Sequence, residues 1–383
     1  MTRALAARLA AMACAAGLCS VSVAQQPTVR VVSSAEDSAW RSQQARTRPY
    51  TREEMLNATS LDVAAVSEDR IQGWGARQAA GIGYDTRGGP SSIAGGGPAG
   101  SEAMISSAVP FEAMALTEDS SAIQQTGYAY PAPFTRYEAF PSYQIYPYQT
   151  VGRVFFNIPG RGTFACSASS VGGDGVMTAG HCVHDAASNT FWNHWVFVPG
   201  YKNGAAPYGQ WTANRLFVLT AYQDGDQGDE RFDVGGAVLN RVGGKRISEK
   251  VGFLGFQWNM SNTATSAHWA LLGYPAAAPF TGGQQFVCQA SFAYTFGPPS
   301  PSPIGVGCDQ TGGTSGGPWI RSFSGAPGKS NYLNGVNVFR RCFDPLCNDL
   351  YTQELFSPYF DNNAKKLHDC VVKSAPGAPA PGC

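Results

Sequence analysis

The chain has 383 residues, of which 14% are charged, and its 27 basic residues balance its 27 acidic ones. This length allows about two structural units. The zero formal charge, without a conspicuous run of Lys and Arg, argues against nucleic acid or an anionic membrane as the partner.

The first 24 residues have the pattern of a secretory signal peptide. Arg3 and Arg8 precede a short apolar run that ends in Ser22-Val23-Ala24. This run is too short to span a bilayer, and no later run reaches about 18 apolar residues, so we expect a soluble, secreted protein, extracellular or periplasmic. A lipid anchor is a weaker alternative, because Leu18 precedes Cys19 where a small residue would be expected.

Residues 25–140, called the leader below, differ in composition from the rest of the chain. They lack cysteine and include the stretch GGPSSIAGGGPAGS at residues 88–101, while a capping-box pattern from Thr51 to Glu54 predicts one short helix. Such a segment is expected to bury little apolar surface, so we interpret it as a largely irregular propeptide that contains a flexible linker. The boundary is predicted within the Pro- and Tyr-rich residues 128–150, and the mature chain to begin between residues 130 and 152.

Eight cysteines follow the signal peptide, and all of them lie in the C-terminal part. An even number in an exported protein predicts up to four disulfides. Sequence proximity favours three pairs, Cys288 with Cys308, Cys342 with Cys347, and Cys370 with Cys383. A metal site is disfavoured because the chain has no CxxC motif and its histidines are scattered.

The remaining residues, 141–383, are predicted to form one domain of mainly β structure. From Val151 onward the sequence contains short apolar or alternating runs such as VGRVFFNI, GVMTAG and NHWVFVPG, bounded by turn residues. This pattern of short strands predicts an antiparallel sandwich or barrel. Near the end, Ser357 as N-cap and Pro358 in the first turn predict a C-terminal helix.

Three motifs supply the parts of a nucleophilic site in the chain order His181, Asp233, Ser315. They are VMTAGHCV, RFDVGGAVL and CDQTGGTSGGPWI. A serine hydroxyl needs an imidazole to take its proton, and a carboxylate fixes the tautomer of that imidazole. The glycines around Ser315 permit a tight turn in which the N–H groups of Gly313 and Ser315 point to one place, as an oxyanion hole.

The segments TAGHC, DVGGAVL and GTSGGP resemble the three catalytic signatures of trypsin/chymotrypsin-like serine peptidases, over about residues 145 to 370. The resemblance implies two six-stranded antiparallel β-barrels, with the site between them, and a C-terminal helix. It assigns His181 as general base, Asp233 as the residue that orients it, and Ser315 as nucleophile. The implied activity is that of a serine endopeptidase on proteins or peptides, and we expect a monomer without a cofactor.

One position departs from the animal members of this family. They carry an aspartate before the nucleophile that receives the new N-terminus on activation, whereas this chain has Thr314, so activation through that salt bridge is not expected. The segments TGGTSGGPW, YPYQTVGRVFF and FVPGYKNGAAPYG resemble more closely the bacterial glutamyl-endopeptidase-like branch, whose members are exported as proenzymes. The family resemblance also implies a Cys166–Cys182 disulfide that braces the histidine loop.

Sequence hints about substrate preference conflict. Asp309 lies six residues before Ser315, where trypsin has its pocket aspartate, but Cys308 precedes it instead of following it. Glutamyl endopeptidases place a histidine where this chain has Asn337, and Arg340 replaces a common pocket-rim glycine, where it either binds an acidic side chain or narrows the pocket. We favour an acidic residue before the scissile bond, then a small or apolar one, and a basic one last. The candidate substrate-binding residues are Asp309, Asn337, Val338, Phe339 and Arg340.

Two other functions are less consistent with the sequence. A non-catalytic binding protein on the same fold would be expected to have lost part of the triad, which is complete here. An α/β-hydrolase esterase would match Gly-x-Ser-x-Gly at residues 313–317, but its histidine would come last in the chain.

The other histidines and the acidic loop are interpreted as structural. No ligand spacing connects the four remaining histidines, His184, His194, His268 and His368. A solvated loop is favoured over a calcium site for the acidic residues Asp224, Asp226, Asp229 and Glu230.

Overall fold

The computed structural model describes residues 29–79, 82–99, 128, 130–139, 141–223, 228–263, 265–296, 302–325, 330–342, 346, 352–378 and 383. The predicted signal peptide lies outside these residues, as do Asp224, Asp226 and Cys347.

The described part of the leader forms short helices and strands. They are β1 (Val31–Ser33), α1 (Ser38–Gln44), α2 (Arg52–Asn57), β2 (Thr59–Ser60), β3 (Ala64–Ser67), α3 (Glu68–Ala79), β4 (Ser91–Ile93) and β5 (Thr135–Glu138). The predicted capping box begins α2, because the Glu54 N–H donates to the Thr51 hydroxyl at 3.2 Å and the Thr51 N–H donates to the Glu54 carboxylate at 2.7 Å.

Six antiparallel strands close the first barrel. The ring runs β12-β11-β6-β7-β8-β13 and closes because β13 pairs with both β8 and β12. These strands bury continuous apolar runs such as Val154–Phe156 and Val196–Val198, which fill the interior. The elements of this half are β6 (Val151–Ile158), β7 (Gly162–Gly172), β8 (Gly175–Thr178), β9 (His184–Asp185), β10 (Thr190–Phe191), β11 (Asn193–Pro199), β12 (Trp211–Leu219), α4 (Thr220–Gln223) and β13 (Gly235–Leu239).

The second barrel consists of two sheets that share one core. Trp269 and Trp319 from one sheet pack edge to face, with ring centroids 5.5 Å apart, in a cluster that also contains Val306 and Leu355 from the other sheet. The predicted all-β fold with two barrels and a C-terminal helix is therefore confirmed. The elements of this half are α5 (Ile247–Val251), β14 (Gly255–Trp258), β15 (His268–Gly273), β16 (Phe286–Ser291), β17 (Tyr294–Thr295), β18 (Ile304–Gly307), β19 (Pro318–Arg321), β20 (Tyr332–Val336), β21 (Phe339–Cys342), β22 (Glu354–Ser357) and α6 (Asn362–Lys373).

The C-terminal helix α6 begins later than the sequence predicts. Its N-cap is Asp361, whose carboxylate accepts from the Ala364 N–H at 3.1 Å. The predicted cap at Ser357 is wrong because this residue ends β22, and its hydroxyl accepts from the Val336 N–H at 2.9 Å. Neither α6 nor any other helix in the described part of the chain is long and apolar enough to cross a membrane.

The leader packs on both barrels, so the expectation that it buries little apolar surface is wrong for its described residues. Strands β1 and β4 pair antiparallel with β12 and β14, and β2 and β3 pair parallel with β7 and β21. Trp40 and Trp74 are each only 3% exposed and belong to the same core cluster as the barrel strands. Their burial comes from the edges and faces of the barrels, which supply apolar surface that the leader sequence lacks.

Three of the predicted disulfides are present among the described residues. They join Cys166 to Cys182, Cys288 to Cys308, and Cys370 to Cys383. Cys342 is also disulfide-bonded, while its predicted partner is one of the residues that the structure does not describe.

Candidate active site

Two neighbouring strands of the first barrel bring His181 and Asp233 together. His181 follows β8 and Asp233 precedes β13, and these strands pair antiparallel with Gly235 opposite Thr178. One Asp233 oxygen accepts from the His181 backbone N–H at 2.9 Å, and the other lies 2.7 Å from His181 Nδ1. Asp233 is buried, so this contact favours the tautomer that carries its proton on Nδ1. Nε2 is then the nitrogen that can accept a proton.

The acidic residues just before Asp233 in the chain contact arginines instead of His181. Asp229 pairs with Arg231 and with Arg77 of α3, each at 2.8 Å, and Glu230 pairs with Arg70 of the same helix. Burial raises the pKa of Glu230 to about 7. The interpretation of this segment as a solvated loop is wrong for these two carboxylates, which are 2% and 5% exposed because the leader helix covers them.

The glycines around Ser315 are required by the shape of its turn. Gly313 has a φ of +91°, and a Cβ there would lie 2.7 Å from the Tyr274 carbonyl oxygen. Gly316 has a φ of +77°, and its Cβ would lie 1.9 Å from the Thr178 hydroxyl. Only glycine combines a positive φ with so close an approach of neighbouring atoms, so the turn that contains Ser315 depends on these positions.

Hydrogen bonds between uncharged side chains support the same turn. The Asn337 side-chain NH₂ donates to the Thr314 hydroxyl at 2.8 Å, and that hydroxyl donates to the Gln310 side-chain oxygen. The Asn337 oxygen accepts from the Trp319 indole N–H at 2.7 Å. Both ends of the Asn337 amide are thus engaged inside the protein. These contacts position Thr314, while the expected role of Asn337 in substrate binding stays a prediction.

Strand β21 and the residue before it, Val338, contact the leader. The Val338 carbonyl oxygen accepts from the Ala64 N–H at 3.2 Å. The Phe339 ring stacks on Phe356, with centroids 4.8 Å apart, and its edge meets Trp74 of α3 at 6.0 Å. The surface on which the sequence predicts substrate is occupied by the leader in this structure.

The two charged candidates for the specificity pocket differ in their partners. Asp309 forms an ion pair with Arg136 of β5. Arg340 is only 5% exposed, and one of its Nη atoms donates to the Gln310 carbonyl oxygen at 2.5 Å, while its Nε has no hydrogen-bond partner in the described part of the chain. Burial lowers the pKa of Arg340. Among the described residues, no carboxylate forms an ion pair with Arg340.

The remaining histidines have contacts that account for them without catalysis. Burial lowers the pKa of His184 to about 4, which keeps it neutral, and His368 stacks on Phe256 with centroids 4.2 Å apart. His194 contacts the Arg48 carbonyl oxygen at 2.8 Å, and His268 contacts the Ser291 hydroxyl at 3.1 Å.

Sequence reasoning missed the contribution of the leader to this site. The Gly313 N–H donates to the Leu61 carbonyl oxygen at 2.8 Å. His181 Nε2 and Ser315 Oγ are both buried, and neither has a hydrogen-bond partner among the residues that the structure describes. The N–H group that was predicted to bind the oxyanion is therefore hydrogen-bonded to a carbonyl group of the leader.

Breaking the disulfide beside His181 is expected to lower stability and activity together. The Cys166 and Cys182 sulfurs and a ring nitrogen of His181 all lie within 4.8 Å of one another. Cys182→Ala should cost about 2 to 5 kcal/mol of unfolding free energy and also reduce kcat of the processed protein.

Cys370→Ala is the matched control for that variant, because the two disulfides close loops of similar length, with separations of 16 and 13 residues. The control should lose similar stability and keep its kcat. Thermal unfolding and active-site titration distinguish the two effects, and equal kcat values for both variants would contradict the bracing role.

The fold and the site together define a serine peptidase of the two-barrel type. The chain is 30% identical to the protease Anisep from Arthrobacter nicotinovorans, in a match that covers 59% of this chain and 96% of that structure with a TM-score of 0.50. It is 31% identical to a thermostable serine protease, AL20, from an extremophilic microorganism, over 57% of this chain and 95% of the other, with a TM-score of 0.48. The chain belongs to the trypsin/chymotrypsin-like serine peptidases.

A curated relative comes from the glutamyl-endopeptidase-like branch. The chain is 25% identical over 219 residues to the glutamyl endopeptidase of Bacillus licheniformis. This match covers 53% of the chain and 63% of the relative, which is less than two thirds of its length. No protein-family profile matches the chain.

Proposed function

We propose that this protein is a secreted serine endopeptidase that hydrolyses peptide bonds through an acyl-enzyme. Ser315 Oγ attacks the carbonyl carbon while His181 Nε2 takes its proton, and Asp233 stabilises the imidazolium that forms. The N–H groups of Gly313 and Ser315 stabilise the oxyanion. His181 then protonates the leaving amine, and water releases the acyl group by the reverse proton transfers. The observation that supports this proposal is the 2.7 Å contact between His181 Nδ1 and Asp233.

Export as a proenzyme belongs to the same proposal. Residues 1–24 are the signal peptide, and the leader is removed so that the mature chain begins between residues 130 and 152. The disulfides support an oxidising compartment, where such bonds persist. The described contacts of β2, β3 and α3 belong to the form that retains the leader.

Labelling with a fluorophosphonate tests the proposed catalysis. This reagent forms a covalent bond with an activated serine, so the processed protein should be labelled and should digest casein. Ser315→Ala should abolish both signals while the far-UV spectrum stays unchanged, because the substitution removes one oxygen atom from a turn. A processed wild-type protein that is not labelled would contradict the proposed function.

For substrate preference, the buried guanidinium of Arg340, which forms no ion pair with a carboxylate among the described residues, supports an acidic residue before the scissile bond. Its guanidinium donates to the carbonyl oxygen of Gln310, a residue that lies five positions before Ser315 in the chain. A buried cation is stabilised by an anionic partner, and a substrate carboxylate would supply one. The curated relative is named a glutamyl endopeptidase, but this chain has Asn337 where the family resemblance implies a histidine, so Arg340 takes the acid-binding role in our proposal.

Reversing the charge of Arg340 is expected to abolish cleavage after Glu and Asp. The lost attraction should reduce kcat/KM for a peptide with Glu before the scissile bond by about 100-fold or more, since truncating a buried charge pair costs about 2 to 5 kcal/mol. Profiling Arg340→Glu on a peptide library measures this change, and Arg340→Lys, which keeps the charge, should retain part of the preference. An unchanged profile in Arg340→Glu would remove Arg340 from the pocket.

A further inference from the structure

A continuous segment of the leader, residues 59–67, crosses the catalytic cleft from one barrel to the other. Thr59 and Ser60 pair with Phe164 and Ala165 of β7, in parallel. The next carbonyl, that of Leu61, accepts from the Gly313 N–H. Residues 64–67 then run parallel to β21 in the second barrel. The earlier residues of the segment therefore lie on the first barrel and the later residues on the second.

The chemistry of acylation fixes the direction that a substrate must take. The histidine that accepted the serine proton donates it to the leaving amine, so the segment after the scissile bond has to leave beside that histidine. His181 belongs to the first barrel, and β7 lies on its side of the cleft because Cys166 of β7 is bonded to Cys182. A productive substrate thus places its earlier residues along β21 and its later residues along β7.

We propose that residues 59–67 bind the cleft in the direction opposite to that of a substrate, and that they inhibit the enzyme without being cut there. This proposal rests on the proposed function of the site. Leu61 presents its carbonyl to the oxyanion donor, but the chain that follows runs towards the second barrel. The nitrogen of the Leu61–Asp62 bond consequently lies on the wrong side for protonation by His181. Without that proton the amine is a poor leaving group, so the bond is not cut.

Helix α3 holds this reversed segment in place. It follows β3 directly and forms ion pairs from Arg70 to Glu230 and from Arg77 to Asp229, both on the loop that leads to Asp233. Trp74 of the same helix packs against Phe339 of β21. The leader is thus fixed to both barrels on either side of Ser315. Maturation must therefore cut the chain at another site.

The test compares the unprocessed full-length chain with its processed form. The processed form should be labelled by a fluorophosphonate. The full-length chain should be labelled about 100-fold more slowly, which corresponds to a cleft that is open in about 1% of molecules. Leu61→Glu places the residue that we expect the enzyme to prefer next to the Leu61–Asp62 bond, and Leu61→Gln is its uncharged control. If the library profiling finds another preference, that residue replaces Glu at position 61.

Mass spectrometry after incubation reports which bonds are cut. The proposal predicts that the bond after residue 61 stays intact in wild type and in both variants, while cuts occur between residues 128 and 152. Cleavage after residue 61 in Leu61→Glu, or equal labelling of both forms, would overturn it. Labelling of the processed form separates these outcomes from a failure of the proposed function, in which neither form reacts and the inference fails with it.

Discussion

Asp233→Asn should lower kcat of the processed enzyme by about 10⁴-fold, with little change in its thermal stability. The asparagine amide can donate to Nδ1, which then favours the imidazole tautomer with its proton on Nε2. In the proposed mechanism Nε2 takes the serine proton, and in this tautomer it can no longer do so. The 2.7 Å distance from Asp233 to His181 Nδ1 makes this exchange of hydrogen-bond roles direct. Steady-state kinetics on a peptide substrate measures the loss.

Asp229→Asn is the matched control for that variant. Asp229 is equally buried and lies four residues earlier, but its carboxylate contacts arginines and not His181. We expect its kcat in the processed enzyme to stay within about tenfold of wild type, although removing a buried ion-pair partner should destabilise the fold. Near wild-type turnover in Asp233→Asn, together with a large loss in Asp229→Asn, would show that the wrong carboxylate had been assigned.

Gly316→Ala should eliminate nearly all activity by deforming the nucleophile turn. The added methyl group would lie 1.9 Å from the Thr178 hydroxyl and 2.4 Å from the Ser167 carbonyl oxygen, and the φ of +77° is itself unfavourable for alanine. The turn must shift to relieve these contacts, and a displacement of about 1 Å at a catalytic group costs about 100-fold in rate. Active-site titration and thermal unfolding should show both the loss of activity and a lower melting temperature.

Gly325→Ala is the control for the glycine substitution. Among the described residues, no heavy atom lies within 4 Å of a Cβ at Gly325, and the φ of this residue lies outside the positive range. Activity and melting temperature should match those of wild type. A fully active Gly316→Ala variant would mean that the turn tolerates a side chain at this position and that the shape of the turn does not require the glycine.

The proposed catalytic residues could be picked out from the sequence because the signals for them are local. Each of His181, Asp233 and Ser315 lies within a few residues of the glycines or small residues that its turn requires, as the close approaches at Gly313 and Gly316 show. A turn of this kind leaves its pattern in neighbouring positions of the sequence. The two barrels were predictable for a similar reason, since each strand is an apolar run that ends at turn residues.

The leader contacts could not be predicted, because they depend on partners far away in the chain. Strands β2 and β3 have two and four residues, too few for a recognisable alternation, and their pairing comes from the edges of β7 and β21. Competition between distant partners also explains the wrong start of α6. Ser357 has the local features of an N-cap, but the β20 strand uses its hydroxyl.

The side chains that hold Thr314 are uncharged, and this has a consequence for the N-terminus of the processed chain. Gln310 and Asn337 hold this residue through hydrogen bonds, so the nucleophile turn needs no buried ammonium group from a freshly cut chain. Processing peptidases that cut at slightly different positions should therefore yield mature proteins with different N-termini and equal activity. For the same reason, a tag or a second domain fused ahead of the barrels would leave the turn intact, provided that it does not enter the cleft.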